Sequence, residues 1–215
     1  MKKIVFLSIL LCFLSGCGKV NESSNKVRGT LPKLDARNTT DIDQAIVIDR
    51  DEITMKFMES YRKSYKNMTD ISDIYTSIQK HSKYYDVDPM VLSCLIIKES
   101  NVFERAQSQK NCRGLCQISK YALEDFNNKH LYQKYGKNAK RYSWDDMFNY
   151  DKNIEVACWY LRHLDKDFQS IQSGVDVLIA YNVGYRHINQ HKNDKAYTYH
   201  KDIISMAITL NKQFL

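Results

Sequence analysis

Breakers are scarce in this 215-residue chain: beyond residue 50 the only proline is Pro89, and the glycines are Gly114, Gly136, Gly174 and Gly184. A fold built from many strands and tight turns uses both residues freely, so their scarcity leaves long helices with few interruptions. No apolar run approaches the about 20 residues needed to cross a bilayer as a helix. No C-x-x-C pair occurs, which removes the usual zinc-ribbon spacing. No internal repeat or low-complexity block is present. The formal charge of +7 comes from Lys and Arg scattered among acids, two of them Lys2 and Lys3. Without a basic stripe joined to a reading motif, nucleic acid is not an expected partner.

What is present begins at the N-terminus. Met1-Lys2-Lys3 followed by a mostly apolar stretch from Ile4 to Leu14 has the basic start and short hydrophobic core of an export signal. Leu14-Ser15-Gly16-Cys17 resembles the bacterial lipobox at all four positions. That resemblance implies removal of residues 1–16 and lipid on Cys17, and two or more acyl chains hold a protein stably on a membrane surface. Gly18 in place of Asp implies outer-membrane sorting, facing the periplasm. Residues 17–50 are polar and mixed in charge, and read as a lipid-anchored tether interrupted by the short apolar run Ile42–Ile48. A helical lead-in is expected over 51–69 and one catalytic domain over 70–215. Cys94, Cys112, Cys116 and Cys158 remain after the signal and anchor. In an exported chain this even set can form disulfides in any of three pairings.

The fold class expected is all-α. Ile71, Ile74, Tyr75, Ile78 and Tyr85 recur at helical spacing, as do Ala157, Leu161, Leu164 and Phe168, then Ile203, Ala207, Leu210 and Phe214. Asp88 before Pro89, Asp151, Ser173 and Asn193 stand where N-caps would. A helical domain of this size closes a core without a metal.

The stretch from Tyr85 to Ser100 carries the sharpest chemical signal. A helix capped at Asp88 would bury Val91, Leu92, Leu95 and Ile96 and carry Glu99 in its last turn. Apolar surroundings and the negative helix end both disfavour the carboxylate. Both therefore raise its pKa toward the range of a general acid.

Four segments then follow in order. Glu99-Ser100, with Ala106-Gln107-Ser108 after it, leads to Gly114-Leu115-Cys116-Gln117-Ile118; Asn153-Ile154 with Tyr160-Leu161 comes next, then Ala180-Tyr181-Asn182-Val183-Gly184. Together they resemble the soluble-lytic-transglycosylase (SLT) domain, the goose-type-lysozyme-like fold, over roughly residues 70 to 212. The resemblance implies a peptidoglycan lytic transglycosylase with Glu99 as the one acid/base residue, no metal and no cofactor. Most glycosidases use two carboxylates, yet no second acid lies in these motifs, and Glu104 falls outside them. One acid suffices if the N-acetyl group of N-acetylmuramic acid assists. The resemblance also implies substrate-positioning roles for Ser108, Gln117, Tyr181 and Asn182, with the Tyr181 hydroxyl holding Glu99.

The sequence departs from the family at Cys116, where Met is usual, and at Ser119-Lys120. At least one disulfide fastening this loop to the core is expected, with Cys112 and Cys158 as candidates for it. His187 and His191 stand four apart, but without the Glu of a metalloprotease motif they read as surface residues. A hydrolytic lysozyme on the same fold and a wall-binding lipoprotein without turnover are the competing functions.

Overall fold

A computed structural model describes residues 49–63, 68–168, 171–192, 194 and 196–214. Cys17, the signal, residues 17–48 with the Ile42–Ile48 run, and Asn193 lie outside the described residues. Among those described, no helix is long and apolar enough to cross a membrane.

The chain is all-α, as its scarcity of breakers implies. Its principal helices are α1 (Arg50–Ser60), α2 (Ile71–Tyr85), α3 (Pro89–Ser100), α4 (Lys120–Asp125), α5 (Tyr132–Tyr135), α6 (Tyr150–Asp167), α7 (Gly174–Val183), α8 (Ile188–His191) and α9 (Tyr199–Lys212). A π-helical turn, Phe126–Leu131, joins α4 to α5. The caps follow the sequence closely. Asp88 accepts from the N–H groups of Met90 and Val91, with Pro89 in the first turn, and Ser173 accepts from Asp176 N. At α6 the cap is Asn149, not Asp151. Asp151 is drawn instead onto Ser77 and His81 of α2, at 2.8 and 2.9 Å. Its position in the first turn of α6 suits both its charge and the α2–α6 packing.

α3 is largely enclosed by its neighbours. Leu92 through Ile97 are six consecutive buried residues, a pattern that fits a helix enclosed on every side, and α1, α2 and α9 pack around it. Among the sequence-expected face, Leu92, Leu95 and Ile96 are fully buried and Val91 is half-buried. α2 lies against α6, and α7 fills the space between α6 and α9. Ile74, Ile78, Leu164, Ile203 and Leu210 are sealed in this core. A Leu-to-Ala change at such a site costs about 2–5 kcal/mol.

The segment between α3 and α4 is held as a compact loop rather than a helix. Gly114 N donates to Ala106 O at 2.9 Å, Ser108 N to Cys112 O at 3.0 Å, and Arg113 and Ile118 exchange backbone bonds at 3.0 and 2.9 Å. Leu115, Cys116 and Ile118 face the core. The loop is clamped from outside by Asn153, fully buried at the start of α6. Its Oδ1 accepts from Cys116 N at 2.8 Å, and its Nδ2 donates to Arg113 O and Met147 O, both at 2.9 Å. Gly114 sits at φ 78°, where an added Cβ would fall 2.1 Å from Met147 O and 2.2 Å from Asn153 Nδ2. Only glycine permits that approach.

Asn153→Ala strands one buried N–H and two carbonyls at once. A loss of about 2–4 kcal/mol is expected by urea unfolding, together with faster amide exchange at residues 113–118 than elsewhere in the core. Unchanged exchange in that loop would show that Asn153 does not hold it.

Candidate active site

Glu99 lies in the last turn of α3. The helix stops there because Asn101, at φ 50°, turns left-handed and returns its N–H to Ile97 O at 2.9 Å. Val102 follows at φ 58° and is fully buried. A β-branched residue in that region is strained, by about 1–3 kcal/mol, and here the surrounding core over-determines it. The strained pair directs the chain away from Glu99 and into the loop that faces it.

The acid is only partly open to solvent. Burial raises its pKa to about 7, against a hydrogen bond from Tyr199 and the nearby Lys98 charge, both of which favour the carboxylate. The Tyr199 hydroxyl donates directly to Glu99 Oε1. Lys98 is occupied elsewhere, its Nζ 2.6 Å from Asp202 Oδ2. That pair ties α3 to α9 beside the acid and draws the ammonium away from it. No second carboxylate figures among the groups that set Glu99.

Around Glu99 stand Cys112 and Cys116 of the loop, Tyr181 of α7, and Tyr197 and Tyr199 at the start of α9. All five have raised pKa values, with burial the largest cause in each and the Glu99 charge a further one. Of the segments singled out in the sequence, the glycine loop, through Cys116, and the Ala180–Gly184 segment, through Tyr181, lie within electrostatic reach of the acid. Gln117, at φ 48°, commits its amide nitrogen to Gly114 O and Ala106 O at 3.0 and 3.2 Å. What it can offer a ligand is its Oε1. Ser108 Oγ accepts from Cys112 N at 3.0 Å, and its hydroxyl lies against the Cys112 thiol. Asn182 is exposed at the end of α7, and its Oδ1 accepts from the Tyr197 hydroxyl at 2.9 Å. What Asn182 can offer a ligand is its amide N–H donors.

Two expectations are corrected. The Tyr181 hydroxyl does not hold Glu99: it donates to Cys116 O at 2.7 Å, tying α7 to the loop, and Tyr199 supplies the bond to the acid. The expected disulfide is not formed either, since Cys94, Cys112, Cys116 and Cys158 are all free. Cys112 lies beside Ser108 on the site face of the loop, whereas Cys158 is buried on α6 beside Ser82. Cys116 fills the core in place of the usual Met, and Ser119 caps α4 by accepting from Ala122 N at 3.2 Å. Glu104 is spent on Thr69 N at 3.2 Å. His187 lies in a short 3-10 turn ahead of α8, so it does not share a helix with His191. No cluster of metal-binding side chains occurs among the described residues.

Sequence reading missed Tyr199, Tyr197 and the role of Asn153. Nothing separates Tyr197 and Tyr199 from the other tyrosines among 15. Asn153 was visible as a motif position, but its clamp on a loop some 40 residues away was not.

Compared with known proteins, residues 76–205 match the family model of the Transglycosylase SLT domain. No curated protein matches. Among solved structures, the chain resembles an inactive mutant of the lytic transglycosylase Slt from Pseudomonas aeruginosa, with TM-score 0.51 and 17% identity over 64% of this chain. It spans 24% of that protein's length, so the likeness speaks to the fold alone.

A carboxyl with its folded pKa raised from 4.5 to about 7 favours folding in its protonated form. Its contribution is complete below pH 4.5 and is lost as pH rises through 7. Glu99→Gln is therefore expected to match wild-type stability at pH 4 and exceed it at pH 8 by about 3 kcal/mol. Carboxyl NMR titration should place Glu99 near 7, and higher in Tyr199→Phe, which loses the bond favouring the carboxylate. An ordinary value near 4.5 in the wild type would remove the case for a buried acid.

Proposed function

The chain belongs to the Transglycosylase SLT domain family, and we propose that it is a peptidoglycan lytic transglycosylase in which Glu99 serves first as acid and then as base. The observation carrying this reading is a single carboxyl, its pKa raised by burial to about 7, set among polar groups with no second carboxylate acting on it. A pKa near working pH suits a residue that must give a proton and take one back within a turnover.

The reaction is assigned as follows. The protonated Glu99 gives its proton to the glycosidic oxygen between N-acetylmuramic acid and N-acetylglucosamine. As the C1–O bond breaks, the N-acetyl carbonyl oxygen of the muramyl residue bonds to C1, replacing the second carboxylate that most glycosidases use. Glu99, now ionised, removes the proton of the C6 hydroxyl. O6 then bonds to C1 and releases the acetamido oxygen, giving a 1,6-anhydro end and restoring the acid. Atoms balance with no water consumed.

Tyr199 orients the carboxyl, so that its proton is presented rather than solvated. Ser108, the Gln117 Oε1 and the Asn182 amide are assigned to the sugar and its N-acetyl group, with Tyr181 securing the loop that carries Gln117 and Tyr197 fixing Asn182. Support also comes from the Pseudomonas protein, whose inactive form carries a glutamate-to-glutamine change. The catalytic unit is assigned to residues 70–215, with 51–69 as its lead-in. Lipid on Cys17 and the tether 17–50 would hold the enzyme on the outer membrane facing the periplasm.

Glu99→Gln is expected to lower the release of muropeptides from purified sacculi at least 10²-fold, with the fold intact by circular dichroism. Wild-type products should be lighter by one water than reducing ends in mass spectrometry. Products with reducing ends would establish a hydrolytic lysozyme instead, and undiminished release by the Gln variant would remove Glu99 from the mechanism.

A further inference from the structure

All five large hydrophobic side chains exposed among the described residues are tyrosines: Tyr61, Tyr84, Tyr121, Tyr132 and Tyr135. Two of them enclose a lysine. Lys134 Nζ donates to the Tyr84 hydroxyl at 2.9 Å and lies 4.8 Å from the centre of the Tyr84 ring and 5.1 Å from that of Tyr135. The rings nevertheless remain 60% and 57% exposed, so both offer open surface beside the cation. Tyr132, on the same short helix, is 48% exposed.

The surrounding chain breaks the even scatter of charge seen elsewhere. From Phe126 to Ser143 there is no acid, while Lys129, Lys134, Lys137, Lys140 and Arg141 are all exposed. Lys129 pairs with Asp125 and Arg141 bonds the Asn128 amide. Lys134, Lys137 and Lys140 pair with no acid among the described residues. This face is not part of the cleft. Tyr84 lies where α2 turns toward the start of α3, and Glu99 is ten residues beyond Pro89, about 15 Å along the helix axis.

We propose that the Tyr84–Lys134–Tyr135 face is a second binding surface for peptidoglycan, taking sugar rings on the tyrosine faces and stem-peptide carboxylates on Lys134 and the neighbouring lysines. This rests on peptidoglycan being the substrate. Tyrosine gives a large flat contact with little rotamer entropy to lose, and its ordering by Lys134 lowers that cost further. The unpaired cations are complementary to a carboxylate-bearing polymer. An anionic bilayer would meet the same charge. However, stable interfacial binding needs a broad apolar face to bury in the acyl boundary, and this face exposes no Leu, Phe or Trp beside its tyrosines. Because the polymer repeats, one strand or its neighbour can occupy this face and the cleft together, so a weak contact here multiplies retention on the wall.

The test uses the full chain carrying Glu99→Gln, to prevent cleavage, and Cys17→Ser, so that no lipid contributes. Cosedimentation with protein-free sacculi is compared with and without the added changes Tyr84→Ser, Lys134→Glu and Tyr135→Ser, alongside phosphatidylglycerol vesicles. Binding to sacculi should weaken at least tenfold, and amidation of the wall carboxylates should abolish most of the difference. In the Glu99 form the same three changes should leave turnover of short soluble glycan fragments within twofold. Equal sedimentation of the two proteins would overturn the proposal, and so would a loss confined to vesicles. The catalytic assignment fails separately, through the products released by the wild type.

Discussion

The desolvation of one carboxyl group governs how the rest of this molecule is arranged. A half-buried glutamate at the end of an enclosed helix is held near pH 7 by its surroundings, and each neighbour keeps that balance. α3 must be buried on nearly every side to bring Glu99 out of water, which explains the unbroken buried run from Leu92 to Ile97, with only the small Ser93 and Cys94 among its larger apolar residues. Too much burial would leave the acid unable to ionise, and Tyr199 restores part of the ionised state by donating to it. Lys98, the one adjacent cation acting on it, is diverted to Asp202. Desolvation, one hydrogen bond and a displaced charge together produce a group that can exist in both protonation states.

The loop from Asn101 to Ser119 presents the second half of the site, and its irregular backbone has to be imposed. Asn101, Val102, Asn111 and Gln117 all have positive φ without being glycine. Strain of this kind persists only where contacts over-determine it. Those contacts are the buried Asn153 on one side, the Tyr181 hydroxyl on another, and the packing of Leu115, Cys116 and Ile118 beneath. The thiols belong to this packing: Cys116 and Cys158 are core hydrophobes here, and hydrogen bonds do the fastening expected of a disulfide.

Much of this was legible beforehand because it depends on short-range rules. The scarcity of proline and glycine, the stripes at Ile74–Ile78, Leu161–Leu164 and Ile203–Leu210, and the caps at Asp88 and Ser173 follow from local backbone and burial physics. Asp151 was misplaced as a cap because an acid in the first turn satisfies the same electrostatic preference whether it caps the helix or, as found, binds α2. Tyr181 was assigned to Glu99 because a motif position names a residue but not the direction of its hydroxyl. In space that hydroxyl meets the Cys116 carbonyl first.

The amino-acid order alone determined the helical class and the helix that carries Glu99, since periodicity and capping act within a few residues. Which tyrosine touches the acid, which asparagine clamps the loop, and where unpaired lysines gather beside exposed rings were decided only by tertiary packing. Tyr199 is 100 residues from Glu99, and Asn153 is 37 from Cys116. A hydrogen bond is set by distances of about 3 Å and by direction, and at such separations neither is encoded in any local pattern of residues.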